Sequence, residues 1–321
     1  MVDSLSSTSG QGVNAGKGKG LRGFGKKLYW NSLLQLYIWI GTAIDSIMTN
    51  SSWTQAHMQR IWGAGRKRKG KQSPKVVYPP CSVEEIIDKI PLEGQHALPK
   101  ESMLLCIAQF RPEKNHELLL NAFAEMDRKQ TKGGDEVQLV LVGSVRDSDD
   151  ETLVYKLRLL VKELKIDSRV HFKINAPWDE ILELLKRASI GVNGMWCEHF
   201  GIGVVEYQAA GLICVVNDSG GPKEDIVVPY EGQTTGMKSR FHQQVSHPLT
   251  YFPSGYHAST ASEYALSFEK ALKLPSNTAL SMRKAARGSS RRFTEAIFSD
   301  AWTEQIAYLM SLLPDHHPKQ S

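Results

Sequence analysis

From residue 102 onward, short apolar runs alternate with longer stretches in which apolar positions recur every three to four residues. The run 102–109 (SMLLCIAQ) reads as a buried strand, and 137–142 (VQLVLV), 170–174, 189–193 and 212–216 as further strands. Between them, 116–128, about 151–164, 178–187 and 201–210 carry helical periodicity. Five strands alternating with helices predict a doubly wound, mostly parallel α/β sheet, which binds ligands outside the carboxyl ends of its strands. Near the carboxyl end, residues 294–313 place Ile297, Phe298, Ala301, Trp302, Ile306, Leu309 and Leu313 at helical spacings. One broad apolar stripe results, and it calls for a partner surface.

Upstream the pattern changes. Residues 1–25 are Ser, Gly and Lys rich without hydrophobic period, and are expected to be a disordered basic tail with no cleavable leader. Residues 28–48 (LYWNSLLQLYIWIGTAIDSIM) form the most apolar stretch, about the length of a bilayer span. Asn31, Gln35 and Asp45 interrupt it, and a charge near a bilayer centre costs ~2.5 kcal/mol or more. An amphipathic helix resting on an anionic membrane surface and an ordinary buried domain helix both fit. A short strand at 47–50, a helix at 54–62 capped by Ser51 or Ser52 and a basic loop at 63–74 are expected next. Residues 76–78 form another short strand, stopped by Pro79 and Pro80, and 76–100 read as a linker.

Charge sharpens this division. The 321 residues carry 39 Lys+Arg and 34 Asp+Glu, a formal +5. Residues 1–75 hold twelve basic and two acidic side chains, so the remainder is mildly acidic. A nucleic-acid-binding domain would show its basic excess on the folded part, so no nucleic acid partner is expected. Four cysteines (Cys81, Cys106, Cys197, Cys214) with neither CxxC spacing nor nearby histidines argue against a disulfide framework or structural zinc site.

Three loops at the strand carboxyl ends carry candidate chemistry. Glu198-His199-Phe200-Gly201-Ile202-Gly203-Val204-Val205-Glu206 sets two glutamates eight positions apart at a strand-to-helix junction. Eight helical residues rise ~12 Å, more than the roughly 5 to 9.5 Å of a hydrolytic carboxylate pair. Two separate tasks along one extended ligand fit better. Gly201 and Gly203 allow close backbone approach, and the helix amino terminus would attract phosphate. Gln109-Phe110-Arg111-Pro112-Glu113-Lys114 places Arg111 and Lys114 after the first strand, suited to a diphosphate leaving group. Gly220 and Gly221 follow the fifth strand, where they permit unusual dihedrals before Pro222 and count among the candidate donor-binding residues. His116 reads as structural, and the Asp147-Ser148-Asp149 triplet as a helix start rather than a metal site.

Basic residues after the first strand, then E-x7-E, then GG-P-x-E resemble the retaining glycosyltransferases of the GT-B fold, which use nucleotide-activated sugars. More narrowly, QFRPEKNH, VHFKINAPWDE, MWCEHFGIGVVE and SGGPKEDIVVPYEGQTTG, with MTNSSWTQAHMQRIW upstream, resemble the α-1,2-mannosyltransferases that extend the dolichyl-diphosphate-linked oligosaccharide on the cytosolic face of the endoplasmic reticulum. The resemblance spans about residues 26–313. It implies transfer of mannose from GDP-mannose to a mannose 2-hydroxyl, with retention and through an oxocarbenium-like transition state. Glu206 would hold the ribose hydroxyls, and Glu198 would face the mannose. Lys114 and Arg111 would bind the diphosphate with backbone N–H groups near Phe200 to Ile202. His199 would neighbour the donor. In the wider group the arginine stands where this chain has Gln109, which makes Lys114 the firmer assignment. No metal cofactor is implied. Implied partners are GDP-mannose, the dolichyl-diphosphate oligosaccharide, the membrane surface through residues 28–48, and other mannosyltransferases.

The resemblance also organises the chain. Expected are a tail (1–25), the end of an amino-terminal acceptor domain (26–75), the linker (76–100), one complete Rossmann-like nucleotide-sugar domain (101–292), a closing amphipathic helix (293–313) and a tail (314–321). The sequence thus reads as truncated at its amino end, as one complete doubly wound domain plus the end of a second. Residues 237–255 (MKSRFHQQVSHPLTYFPSG) read as an atypical insertion, either a retained intron or a lineage-specific loop. Two rival functions are a non-catalytic, membrane-associated GDP-sugar-binding fragment and a transferase that uses a UDP-sugar.

Overall fold

The computed structural model describes residues 21–92, 101–129, 136–230 and 254–313, which divide into two compact units. Unit 2 comprises residues 50–54 and 77–303, and unit 1 the described residues within 1–49, 55–76 and 304–321.

Unit 2 is built on a six-stranded sheet. Its strands are β3 (Met103–Ile107), β4 (Gln138–Gly143), β5 (Val170–Ile174), β6 (Ile190–Asn193), β7 (Ile213–Asn217) and β8 (Gly255–Ala258), numbered after β1 (Met48–Thr49) and β2 (Lys75–Val76) of unit 1. They lie in the order β5-β4-β3-β6-β7-β8, with every neighbouring pair parallel. Central strands buried on both faces account for their unbroken apolar runs: Leu104, Leu105, Leu139, Leu141, Ile213 and Val215 are fully buried. Chain order proceeds outward from β3 in one direction and then restarts at β6 in the other. The switch point therefore lies between β3 and β6, and a crevice opens at their carboxyl ends.

Between β3 and β6 the direct pairing is short, with Leu104 opposite Ile190 and Leu105 opposite Gly191. Tyr207 bridges the strands beyond it. Its hydroxyl accepts from the Ile107 N–H (2.5 Å) and lies 3.3 Å from the Val192 carbonyl, to which it donates. Its ring occupies the space of a missing side chain, since a Cβ on Gly191 would stand 2.2 Å from it.

The helices of unit 2 cover both faces. They are α3 (Val83–Lys89), α4 (His116–Lys129), α5 (Ser148–Glu163), α6 (Trp178–Arg187), α7 (Ile202–Ala209), α8 (Ala261–Leu272) and α9 (Ser276–Ser290). Three differ from expectation. The 76–100 segment is not a bare linker: α3 forms within it, and Cys81, Val83, Ile86 and Ile90 are buried in the core. The spacing of Val83, Ile86 and Ile90 is helical, but flanking prolines obscured it. Strand β8 begins at the last residue of the expected 237–255 insertion, and residues 231–253 lie outside the described residues. At four residues, β8 is too short to announce itself by pattern. Helix α9 had no counterpart in the sequence reading.

In unit 1, helix α1 (Leu21–Ala43) starts inside the expected 1–25 tail, whose residues 1–20 lie outside the described residues. Helix α2 (Ser52–Arg68) begins in unit 2 and continues in unit 1, past Trp62 into the expected 63–74 loop. Glycines explain the extension. A Cβ on Gly41 would stand 2.3 Å from the Trp62 ring, and one on Gly65 would stand 2.5 Å from Thr42 Cγ2. These glycines let the two helices approach closely. Arg66 then ends α1. Its buried guanidinium donates to the carbonyls of Gly41 (3.0 Å), Ile44 (2.6 Å), Asp45 (3.0 Å) and Gln72 (2.8 Å). Lys71 adds bonds to the Ala43 carbonyl and the Asp45 carboxylate, both at 2.7 Å. Four helix-end carbonyls normally lack intrahelical partners, and a cation there also suits the helix dipole.

Helix α10 (Glu295–Ser311) corrects the apolar-stripe expectation: Ile297, Trp302, Ile306 and Leu313 are exposed, and Gln305 is buried instead. Within unit 1, Gln305 accepts a hydrogen bond from the Ser46 hydroxyl at 3.3 Å.

Arg66→Met is expected to leave several helix-end carbonyls unsatisfied and to destabilise the α1 end by about 3 kcal/mol. Amide hydrogen exchange should show residues 38–45 exchanging much faster than in the wild type. Unchanged exchange there would contradict the capping role.

Candidate active site at the carboxyl edge of the sheet

Two loops meet at the switch point. After β3, a 3₁₀ turn at Pro112–Lys114 is stopped by Asn115 in the left-handed region at φ 54°. After β6, the chain reaches Glu198 through Cys197, also left-handed at φ 53°. The result is an ion pair between Lys114 Nζ and Glu198 Oε2 at 2.6 Å, with both side chains largely buried. Lys114 Nζ also lies 3.1 Å from Met195 Sδ.

The third loop acts as a backing plate. Gly220 sits at φ 70°, and a Cβ there would stand 2.2 Å from the Glu198 carbonyl oxygen. A Cβ on Gly221 would stand 2.7 Å from both the His199 carbonyl and Phe200 Cα, while its N–H donates to the Glu198 carbonyl at 2.8 Å. Ser219 Oγ accepts from the Cys197 N–H at 2.8 Å. Only glycine at 220 combines this dihedral with this approach. The double glycine thus shapes the Glu198 loop, whereas the sequence placed Gly220 and Gly221 among donor-binding residues.

These loops enclose a cleft of about 650 Å³ lined by Lys114, Glu198, His199, Phe200, Gly201, Ile202 and Glu206 among others. Gly201, at φ 108°, turns the chain into α7, whose first amide groups open at the same edge. Glu206 stands on α7, and burial pushes its carboxyl up to about 7. Phe200 is buried and stacks on Tyr78 at 5.8 Å, which anchors the loop from behind.

The structure separates Arg111 from this group. Its guanidinium lies 4.0 Å from Glu113 and close enough to Asp150 to help lower that carboxyl, whose main partner is Arg146. Lys114 alone of the expected basic pair lines the cleft. His116 is buried and stacked on Phe110 at 5.0 Å, and burial lowers its imidazole to about 4, so it stays neutral. Asp147 caps α5 by accepting from the Asp150 N–H at 3.0 Å. Among the described residues, no cluster of three His, Cys, Asp or Glu side chains is arranged to hold a metal ion. Sequence reasoning missed Asn50, Pro79, Ser144, Asn175, Ala176, Ile181 and Asn193, which also line the cleft. They stand on segments far apart in sequence, and although Asn50 lies in MTNSSWTQAHMQRIW and Asn175 and Ala176 in VHFKINAPWDE, nothing in those motifs singled them out.

Residues 78–238 match the family described as glycosyl transferases group 1. The chain belongs to that family. Residues 1–62 also match the model described as ALG11 mannosyltransferase N-terminus. Among curated relatives, a GDP-Man:Man(3)GlcNAc(2)-PP-Dol alpha-1,2-mannosyltransferase of Neurospora crassa is 48% identical over 99% of this chain and 55% of its own length. The protein of the same name in Homo sapiens is 38% identical over 88% of this chain and 52% of its length. The chain therefore spans about half the length of these relatives. A glycosyltransferase from Rickettsia africae superposes with a TM-score of 0.66 at 15% identity, covering 87% of this chain and 67% of that one. A sucrose-phosphate synthase from Thermosynechococcus elongatus gives 0.66 at 19% identity, covering 88% and 63%. Both likenesses show the GT-B fold.

As a group 1 glycosyl transferase, the chain presents one cation, one buried carboxylic acid and a helix amino terminus along a single cleft. The elevated value makes the folded chain hold a proton on Glu206 that the unfolded chain has lost, so this group lowers stability as pH rises from about 4.5 through 7. Calorimetric unfolding should show that dependence flattened in Glu206→Gln.

Proposed function

We propose that this chain is the donor-binding part of a retaining α-1,2-mannosyltransferase. It takes mannose from GDP-mannose to a mannose 2-hydroxyl of a dolichyl-diphosphate-linked oligosaccharide at the cytosolic face of the endoplasmic reticulum. The observation that carries the reaction class is the Lys114–Glu198 pair beside the amino terminus of α7. Donor and acceptor follow the names of relatives similar along nearly the whole chain.

In the proposed reaction the bond between the anomeric carbon and the diphosphate oxygen breaks. The acceptor 2-hydroxyl oxygen bonds the same face of the sugar, and its proton leaves on the diphosphate. Negative charge then grows on the diphosphate, and a preorganised cation in a partly dry cleft stabilises it most as that charge develops. Lys114 supplies the cation, and the α7 amides add fixed dipoles. Together they support a metal-independent reaction. Glu198 orients Lys114 and faces the positive charge developing on the mannose. Glu206 holds the ribose.

Transfer of labelled mannose from GDP-mannose to a lipid-linked acceptor tests this reading, and EDTA should leave it unchanged. Lys114→Met should lower kcat by about 10²-fold, and Glu198→Gln should reduce turnover more than GDP affinity. GDP binding without transfer would favour a non-catalytic binding fragment, while tighter competition by UDP would shift the donor class.

Membrane attachment is part of the proposal. Leu28, Tyr29, Leu33, Leu36, Tyr37, Trp39 and Ile40 of α1 are all exposed, and no helix among the described residues is long and apolar enough to cross a membrane. An apolar helix lying in the headgroup region, with Lys67, Arg68 and Lys69 exposed at the end of α2, fits an anionic surface. Flotation with vesicles containing acidic phospholipid should recover the wild-type chain, and a Leu36→Ser, Trp39→Ser, Ile40→Ser variant should lose most of that binding. Equal flotation would exclude α1 as the anchor.

A further inference from the structure

Asn50, within the MTNSSWTQAHMQRIW segment, lines the same cleft as Lys114, Glu198, His199 and Phe200. Its side-chain oxygen Oδ1 is buried and has no hydrogen-bond partner among the described residues. Buried polar atoms without partners are uncommon because each forfeits its bonds to water. The segment around it is firmly held. The Ser52 N–H donates to one carboxylate oxygen of Asp225 at 2.8 Å, and the Tyr78 hydroxyl donates to the other at 2.8 Å. Ser51 Oγ accepts from the Thr54 N–H at 3.0 Å, which starts α2, and the Trp53 ring stacks on His199 with centroids 5.4 Å apart and planes 20° apart. These contacts fix the backbone that follows Asn50 without using its amide oxygen.

We infer that Asn50 is a substrate-contacting residue whose Oδ1 accepts a hydrogen bond from a sugar hydroxyl. The inference rests on reading the cleft as a nucleotide-sugar site. The ligand's chemistry follows from what the atom lacks. An amide oxygen needs a donor, and a phosphate offers only acceptors. Trp53 ties the segment to His199, next to Glu198, which is assigned to the transferred sugar. The hydroxyl belongs either to the mannose of the donor or to the acceptor sugar. A glycan at the Asn50-Ser51-Ser52 sequon would occupy the cleft that Asn50 lines.

The test compares wild type with Asn50→Ala and Asn50→Asp, the latter keeping an acceptor oxygen in place. Calorimetry with GDP and with GDP-mannose is followed by transfer kinetics with a lipid-linked acceptor. In Asn50→Ala, GDP affinity stays at the wild-type level. One lost hydrogen bond then appears as about a tenfold weakening, in GDP-mannose affinity if the hydroxyl is the donor's, or in acceptor KM if it is the acceptor's. Asn50→Asp recovers most of that loss. The inference is overturned if Asn50→Ala changes neither quantity, if it weakens GDP as much as GDP-mannose, or if Asn50→Asp behaves as Asn50→Ala. Failure of the wild-type chain to bind GDP would instead overturn the nucleotide-sugar reading, and this inference with it.

Discussion

The parallel pairing of β3 with β6 is the constraint from which the site follows. Strand order reverses there, so the loops leaving these two strands cannot diverge to opposite faces as loops from successive strands do. They open together at one edge. Lys114 and Glu198, 84 residues apart, meet at 2.6 Å as a result. Direct pairing of the two strands is limited to two registered positions, and Tyr207 extends it by joining Ile107 to Val192 through its hydroxyl. The same residue follows Glu206 on α7. The helix that carries one acid into the cleft is thereby locked to the strands that position the other.

A second constraint is how few charges do the work. The acidic majority of unit 2 is dispersed, and the cleft contains a single lysine set against a carboxylate in a partly buried place. Such a cation keeps much of its electrostatic strength because water is partly excluded. Basic residues elsewhere serve other ends. Arg66 and Lys71, which belong to the basic segment expected as a loop at 63–74, are consumed in ending α1. The exposed apolar side of α1 is consequently presented by a helix whose end is fixed, rather than by a fraying segment.

Much of the fold was legible because doubly covered parallel strands need continuous apolar runs, which β3, β4, β6 and β7 show, whereas the edge strand β5, with His171 and Lys173 exposed, was placed by its position between two helical patterns. β8 has only four residues and follows a stretch without period. Helix α3 was obscured by Pro79, Pro80 and Pro91, although Val83, Ile86 and Ile90 carry its spacing. In the site, Lys114, Glu198 and Glu206 were recognisable because they stand at strand ends in short motifs. Arg111 was named with Lys114 because both follow β3 in one short turn, and the sequence could not show that its guanidinium lies near Glu113 and Asp150.

The sequence by itself determined the alternation of elements, the family, and the loops that hold the chemistry, because those are properties of local pattern and spacing. Tertiary structure alone decided which side chains share a space. Gly220 and Gly221 became supports for the Glu198 loop because their missing Cβ atoms admit its backbone at distances no other residue allows. Asn50 joined the cleft because Asp225 grips Ser52 from 173 residues away. Neither relation has a periodicity, since long-range contacts arise from chain closure rather than from neighbours along the chain.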